Sequence, residues 1–376
     1  MQLDSIDGDA RAPGDDSTEL FLHLTPERVL DAVDRGGYTT RAVCYPLASF
    51  ENRVYEVELA DRRRLVAKFY RPGRWTRDQI LEEHRLLAEL DDDELPVCAA
   101  LPFPGGGTIR EIDGLFYGLW DRSGGRAPDE LDHGLARRFG MLVGRLHAAA
   151  WRRDFATRPK LDADRYIRRQ IKFLNRERLI PGPFEARYLK AAEAIADIAD
   201  AELLGVDTGR LHGDLHLGNV LLRDGVLRLL DFDDACTGPA VQDLWLAIPG
   251  RDADSERRRA ALLEGYGQFR HFDPSELRLI EVLRGLRLVR YCGWLARRAD
   301  DPAFQRGWPH FGTQAYWQQE TADLEEQLDL IRRRPRYPGG GPHGTTPSTA
   351  QPLPEPEGVE LTNKDYFWDW PGDDSD

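Results

Sequence analysis

The chain has 376 residues, 41% of them hydrophobic and 31% charged, with a formal net charge of −14. That length suits two domains sharing one cleft, while the missing 20-residue apolar run and the polar start MQLDSIDGDARAPGDDST argue against a membrane span and a secretory signal. The acidity sits mainly at the ends: residues 1–18 carry five Asp against one Arg, and residues 335–376 carry eight acids against Arg336 and Lys364, so the body keeps only −4.

The expectation is a cytoplasmic, monomeric protein with no nucleic-acid or membrane partner, although the bulk charge says little about a substrate. The cysteines Cys44, Cys98, Cys236 and Cys292 lack C-x-x-C spacing, which fits reduced thiols rather than a zinc site or a disulfide framework.

In chain order, residues 1–20 read as a disordered acidic tail, with folding expected to begin near Phe21. Thr25-Pro26 starts a short helix that Gly36 stops. From Ala42 to Tyr70 the pattern has period two, with an Asp-Arg-Arg-Arg turn between Val54–Leu59 and Leu65–Tyr70, predicting a hairpin. Ile80, Leu86, Leu87 and Leu90 mark a helix over 76–90, and strands are expected near 108–111 and 115–120. The polar stretch Asp121–Arg126 is read as the connection to a second lobe. Helices are expected through Leu135–Ala150, Leu189–Ala199, 276–298 and 314–332, and the Pro/Gly-rich stretch 335–376 reads as a second disordered tail. Its Tyr366-Phe367-Trp368 cluster is either a docking peptide or surface packing. The expected fold is α+β and bilobal, with a small antiparallel-sheet lobe (21–121) and a larger, mostly helical lobe (122–334).

The chemistry is concentrated in His212-Gly213-Asp214-Leu215-His216-Leu217-Gly218-Asn219 and Leu230-Asp231-Phe232-Asp233-Asp234. An Asp followed five residues later by Asn, and twelve residues after that by a second Asp, has the spacing of a kinase catalytic loop and metal-binding Asp. Phosphoryl transfer is mainly a problem of holding ATP, metal and acceptor hydroxyl in line. Asp214 suits the hydroxyl proton, and Asn219 and Asp231 offer the hard oxygens Mg²⁺ prefers. These groups flank a hairpin that returns them to one place. His212 and His216 are read as braces of the loop.

Lys68, at the end of the apolar strand Val66-Ala67-Lys68, is placed to neutralise phosphate oxygens and to pair with a glutamate on the next helix. Glu82 and Glu83 both lie at a suitable distance; Glu83 is preferred as the one on the inward face. No G-x-G-x-x-G precedes Lys68, so backbone N–H groups around Leu47–Arg53, with Ser49, are the candidates to meet phosphate. Phe116–Trp120 stands where an adenine-binding connection is expected and equally suits a plain buried strand.

Taken with Gly238-Pro239-Ala240-Val241-Gln242-Asp243-Leu244-Trp245, these residues resemble the aminoglycoside phosphotransferase and choline kinase superfamily. Ser49–Tyr55, Lys68–Thr76, Gln79–His84 and Arg298–Phe304 resemble one branch of it, the bacterial stress response kinase A family, over about residues 20–332. The resemblance implies a cytoplasmic Ser/Thr protein kinase with Asp214 as proton acceptor, Asn219 and Asp231 as Mg²⁺ ligands and Ser49 in the ATP site. Only eleven residues separate Asp231 from Asp243, and no A-P-E segment follows. A small hydroxylated metabolite or an aminoglycoside is thus the competing acceptor, and a cleft lined with carboxylates would favour it. A nucleotide-binding scaffold without turnover is the third reading, against which Asp214 counts.

Overall fold

The computed structural model describes residues 16–333. Its N-terminal part runs α1 (Asp16–Leu22), α2 (Pro26–Arg35), β1 (Thr40–Leu47), β2 (Arg53–Leu59), β3 (Arg64–Phe69), α3 (Arg77–Asp92), β4 (Arg110–Ile112) and β5 (Leu115–Asp121). The five strands form one antiparallel sheet in the order β1-β2-β3-β5-β4. Successive residues of a strand face opposite sides, and β3 divides accordingly. Leu65, Ala67 and Phe69 join the core with Phe21, Val29 and Val33, whereas Val66 and Tyr70 pack with Ile80. Lys68 shares that second face and so meets α3.

Residues 16–22 form α1, within the stretch expected to be a tail up to residue 20. Phe21 is fully buried, and the guanidinium carbons of Arg53 and Arg71 lie 4.7 and 4.8 Å from its ring centre. The reason is local: one aromatic anchor orders a turn of polar chain that composition alone reads as tail. The tail expectation for residues 1–15 and 334–376, including the Tyr366–Trp368 cluster, lies outside the described residues.

Helix boundaries follow the caps. Thr25 accepts from the Arg28 amide with Pro26 in the first turn of α2, and Thr76 and Gln79 exchange side-chain bonds with each other's backbone at the start of α3. Buried Ile80, Glu83, Leu87 and Leu90 then share one face of α3, so helical phase carries Glu83 inward.

The second lobe runs α4 (His133–Ala150), a π-helical turn (Asp164–Arg168) continuing into α5 (Arg169–Arg176), α6 (Gly182–Leu203), β6 (Gly209–Leu211), β7 (Val220–Arg223), β8 (Val226–Leu229), β9 (Cys236–Gly238), α7 (Val241–Trp245), α8 (Ala253–Tyr266), α9 (Ile280–Arg298), α10 (Pro302–Gly307) and α11 (Gln314–Arg333). One core cluster joins α4, α6, α9 and α11 through Phe139, Val143, Ile195, Leu286, Trp317 and Leu324. α5 and α8 have no counterpart among the helices expected from apolar spacing. α8 is polar because it meets α4 backbone to backbone: a Cβ on Gly140 would run into the Leu262 carbonyl, and one on Gly265 into that of Arg137. No helix among the described residues is long and apolar enough to cross a membrane.

Gly140→Ala should therefore force α4 and α8 apart, costing about 3 kcal/mol and lowering the melting temperature by roughly 5–10 °C. Gly182→Ala, at a helical site with nothing within 4 Å of the new methyl, should leave the melt unchanged or slightly raised. Thermal denaturation followed by circular dichroism checks both.

Candidate active site

A cleft of about 1020 Å³ lies between the lobes, and Ser49, Lys68, Asp214, Asn219, Asp231 and Arg287 all line it. The loop bearing Asp214 precedes β7, and Asp231 follows β8. Because β7 and β8 pair as a hairpin from Val220↔Leu229 to Arg223↔Val226, and the Leu230 amide donates to the Asn219 carbonyl at 2.9 Å, Asn219 and Asp231 flank the hairpin's base.

The Asp214 loop is held by buried groups. Asp243 accepts from the amides of His212 and Gly213, at 2.8 Å each, and pairs with His147 Nε2 at 3.1 Å. Gln242 Nε2 donates to the Gly213 carbonyl at 3.0 Å. His212 Nε2 bonds the Leu230 carbonyl at 2.7 Å, tying the loop to the Asp231 turn. Gly213 has φ +87°, and a Cβ there would collide with the Asp234 carbonyl, so this position admits only glycine without rearrangement.

Asp214 itself faces Arg287 from α9, with Oδ1 to Nη1 at 2.6 Å, and His216 Nε2 at 3.5 Å from Oδ2. Burial alone would raise its pKa, but Arg287 and His216 outweigh burial and hold the carboxyl well below its ordinary value. Asn219 Nδ2 donates to the Asp214 carbonyl at 2.9 Å, which leaves the amide oxygen for another partner. Asp231 takes the left-handed conformation, φ 52° and ψ 69°, and its side chain is half-exposed toward the cleft. Asp tolerates that region better than most residues do.

Lys68 is buried, with Nζ 3.1 Å from Asp233, 3.3 Å from Asp231 and 3.4 Å from Glu83. Burial opposes its charge, yet Asp233, Glu83 and Asp231 together hold the ammonium well above the usual lysine pKa. Burial pushes Glu83 up to about 7 against the pull of Lys68. Of the two glutamates considered, Glu83 reaches Lys68. Glu82 instead crosses to the other lobe, accepting from the amides of Ala156, Thr157 and Arg158 at 2.6, 2.9 and 2.8 Å.

Ser49 Oγ accepts from the Asn52 amide at 3.4 Å, so it supports the turn of the β1–β2 loop as well as lining the cleft. The same loop is anchored by Glu51, whose carboxylate meets Arg74 at 2.5 Å, Arg298 at 2.7 Å and Trp294 Nε1 at 2.6 Å. Burial would raise the pKa of Glu51, but Arg298, Arg74 and Arg71 hold it well below the carboxylate range.

Four groups in this arrangement are not singled out by the sequence: Glu51, Arg158, Arg287 and Asp301. Buried Arg158 donates to the backbone carbonyls of Phe232, Asp233 and Ala235 at 3.3, 2.5 and 2.8 Å. Asp301, before α10, receives Arg53 and Arg71 at 3.2 and 2.9 Å. Each makes a contact across more than 70 positions of sequence, where local spacing carries no signal, although Glu51 also meets Arg74 within 23; only the helical phase of α9 could have flagged Arg287.

The model of the phosphotransferase enzyme family matches residues 44–280. Stress response kinase A of Escherichia coli (strain K12) is 39% identical over 322 residues, covering 85% of this chain and 97% of that protein. Serine/threonine protein kinase RdoA of Salmonella typhimurium (strain LT2) is 39% identical over 323 residues, with the same two coverages. Among solved structures, amicoumacin kinase hAmiN in complex with AMP-PNP, Ca²⁺ and Ami superposes with a TM-score of 0.62 at 21% identity, covering 80% of this chain and 92% of that one. That likeness shows the protein-kinase-like fold.

The Arg287–Asp214 pair sets a pH dependence. Because the folded-state pKa of Asp214 is depressed, the pair's stabilisation is present above the unfolded value of 3.8 and is lost as pH falls through the folded one. Arg287→Met should raise the Asp214 pKa, moving the acid limb of the kcat/KM profile to higher pH while the profile's upper limb stays in place. A pH–rate series on both proteins measures it.

Proposed function

The chain belongs to the phosphotransferase enzyme family, and from that premise we propose that it is an ATP-dependent Ser/Thr protein kinase of the stress response kinase A type. The observation that carries the reading is the convergence of Lys68, Asp214, Asn219 and Asp231 on one cleft between the lobes. The relatives at 39% identity are named stress response kinase A and serine/threonine protein kinase RdoA, which supports the choice of a protein acceptor.

In this reading Lys68 meets phosphate oxygens of ATP, held for that task by Glu83, while amides of the β1–β2 loop beside Ser49 face the phosphates. Asp214 orients the acceptor hydroxyl and accepts its proton as the oxygen bonds to the γ-phosphorus, and the bond from that phosphorus to the bridging oxygen breaks to release ADP. Its low pKa keeps it ionised at neutral pH, in line with a loose transition state that needs positioning more than a strong base.

The donor set also fits Mg²⁺. Asn219 keeps its amide oxygen available and Asp231 projects a half-exposed carboxylate, a pair of hard oxygens suited to a cation that completes its shell with phosphate and water. Mg²⁺, when bound by Asn219 and Asp231, would neutralise charge on the β- and γ-phosphates. A small hydroxylated acceptor is the second reading. It is favoured by the short passage from Asp231 to Asp243, which holds a 3₁₀ turn, β9 and the start of α7 and leaves little chain for a substrate platform.

Asp214→Asn should lower kcat by about 10²–10⁴ with ATP affinity retained, whereas Asp231→Asn should weaken Mg²⁺-dependent ATP binding itself. Transfer of labelled γ-phosphate to a cellular protein extract, set beside transfer to a metabolite extract, decides the acceptor. Label confined to metabolites refutes the protein-kinase reading, and full activity of Asp214→Asn refutes the assigned base.

A further inference from the structure

We propose that the acceptor serine or threonine is flanked by acidic groups, which the arginines of α9 and α10 recognise; this rests on the protein-kinase reading above. Arg287, Arg290, Tyr291 and Trp294 follow one another at i, i+3, i+4 and i+7 along α9, and all four line the cleft. Arg306 of α10 lines it as well and is exposed. The acid in α9, Glu281, is engaged elsewhere, at 2.9 Å from Arg251 and 2.8 Å from Gln327.

Three of the cleft carboxylates that could draw a cationic acceptor are already matched. Asp214 has Arg287 at 2.6 Å, and Asp234 has Arg74 at 2.8 Å and Arg290 at 3.2 Å. Asp233 is buried between Lys68 and Arg74. A polycation such as an aminoglycoside would have to displace guanidinium groups and then sit among them. An anion need not displace these carboxylates: a guanidinium has five N–H donors in a planar fork, so one carboxylate does not exhaust it.

Spacing says where the acidic group lies. Arg290 is three residues beyond Arg287, about 4.5 Å along the helix axis, and Arg306 comes from the next helix. An extended peptide advances about 3.3 Å per residue, so with the hydroxyl at Asp214 the offset of Arg290 corresponds to a side chain one or two positions away. Tyr291 and Trp294, stacked with ring centres 5.7 Å apart, add apolar surface to the same cleft.

The test uses the full chain with Mg²⁺, labelled ATP and four peptides of about twelve residues, each with one serine flanked by Asp, phosphoserine, Gln or Arg. Electrostatic complementarity predicts a kcat/KM for the Asp or phosphoserine peptide at least about tenfold above the Gln peptide and about a hundredfold above the Arg peptide. The better of the two anionic peptides tells carboxylate recognition from phosphate recognition. Arg306→Glu and Arg290→Gln should each cut the anionic advantage to about threefold or less through the peptide KM, with unchanged melts showing that the variants fold. Equal rates for all peptides, or preference for the Arg peptide, overturn the acidic rule and leave the protein-kinase reading standing. Label reaching none of the peptides, with metabolites phosphorylated, removes both.

Discussion

The ammonium of Lys68 sits among the carboxylates of Glu83, Asp231 and Asp233, and this one cluster joins three elements that the chain supplies far apart. β3 brings the cation, α3 brings Glu83, and the turn after β8 brings the two aspartates from the other lobe. Taking one partner from a buried ionic cluster costs about 3–5 kcal/mol, because the remaining charge is left without compensation. The position of α3 and the conformation of the Asp231 turn are thus parts of one electrostatic arrangement. Arg158 strengthens it by binding three backbone carbonyls of that turn.

The β1–β2 loop is seated by a second ionic group. Glu51, Arg71, Arg74, Arg298 and Asp301 tie the loop to the C-terminal end of α9 and the start of α10. Phe50 adds an apolar contact, with its ring 4.9 Å from that of Trp308 and 5.8 Å from that of Phe304. A glycine-rich loop would hold its shape through backbone freedom. Here side chains do that work, and they fasten the loop to the helices that carry Arg287, Arg290 and Arg306.

Much of this site was legible in the sequence. The spacing of Asp214, Asn219 and Asp231 around a two-strand hairpin implies their approach whatever the rest of the chain does. Lys68 was readable from its place in an alternating strand. Glu83 was separable from Glu82 only by helical phase, a weak guide for two adjacent residues, and the geometry gives Glu82 a different task at the lobe junction. Contacts such as Glu51–Arg298 and Arg53–Asp301, separated by about 250 positions, leave no local pattern to read. α8 escaped notice because glycine-mediated backbone contact replaces the apolar stripe that usually marks a packed helix. The charge that α9 brings to the cleft depends on which of its faces meets it: Arg287 and Arg290 stand there beside carboxylates such as Asp214, Asp231 and Asp234, and helical phase alone does not fix that balance.

In the proposed function the Lys68 cluster forms the nucleotide-phosphate site. Calorimetric titration of ATP and Mg²⁺ into Lys68→Met tests it most directly, with the thermal melt recorded to identify the temperature at which the variant is folded. The account predicts a Kd at least about tenfold weaker than that of the unaltered chain, equivalent to about 1.4 kcal/mol or more. A folded Lys68→Met protein that binds ATP as tightly as the unaltered chain would contradict it.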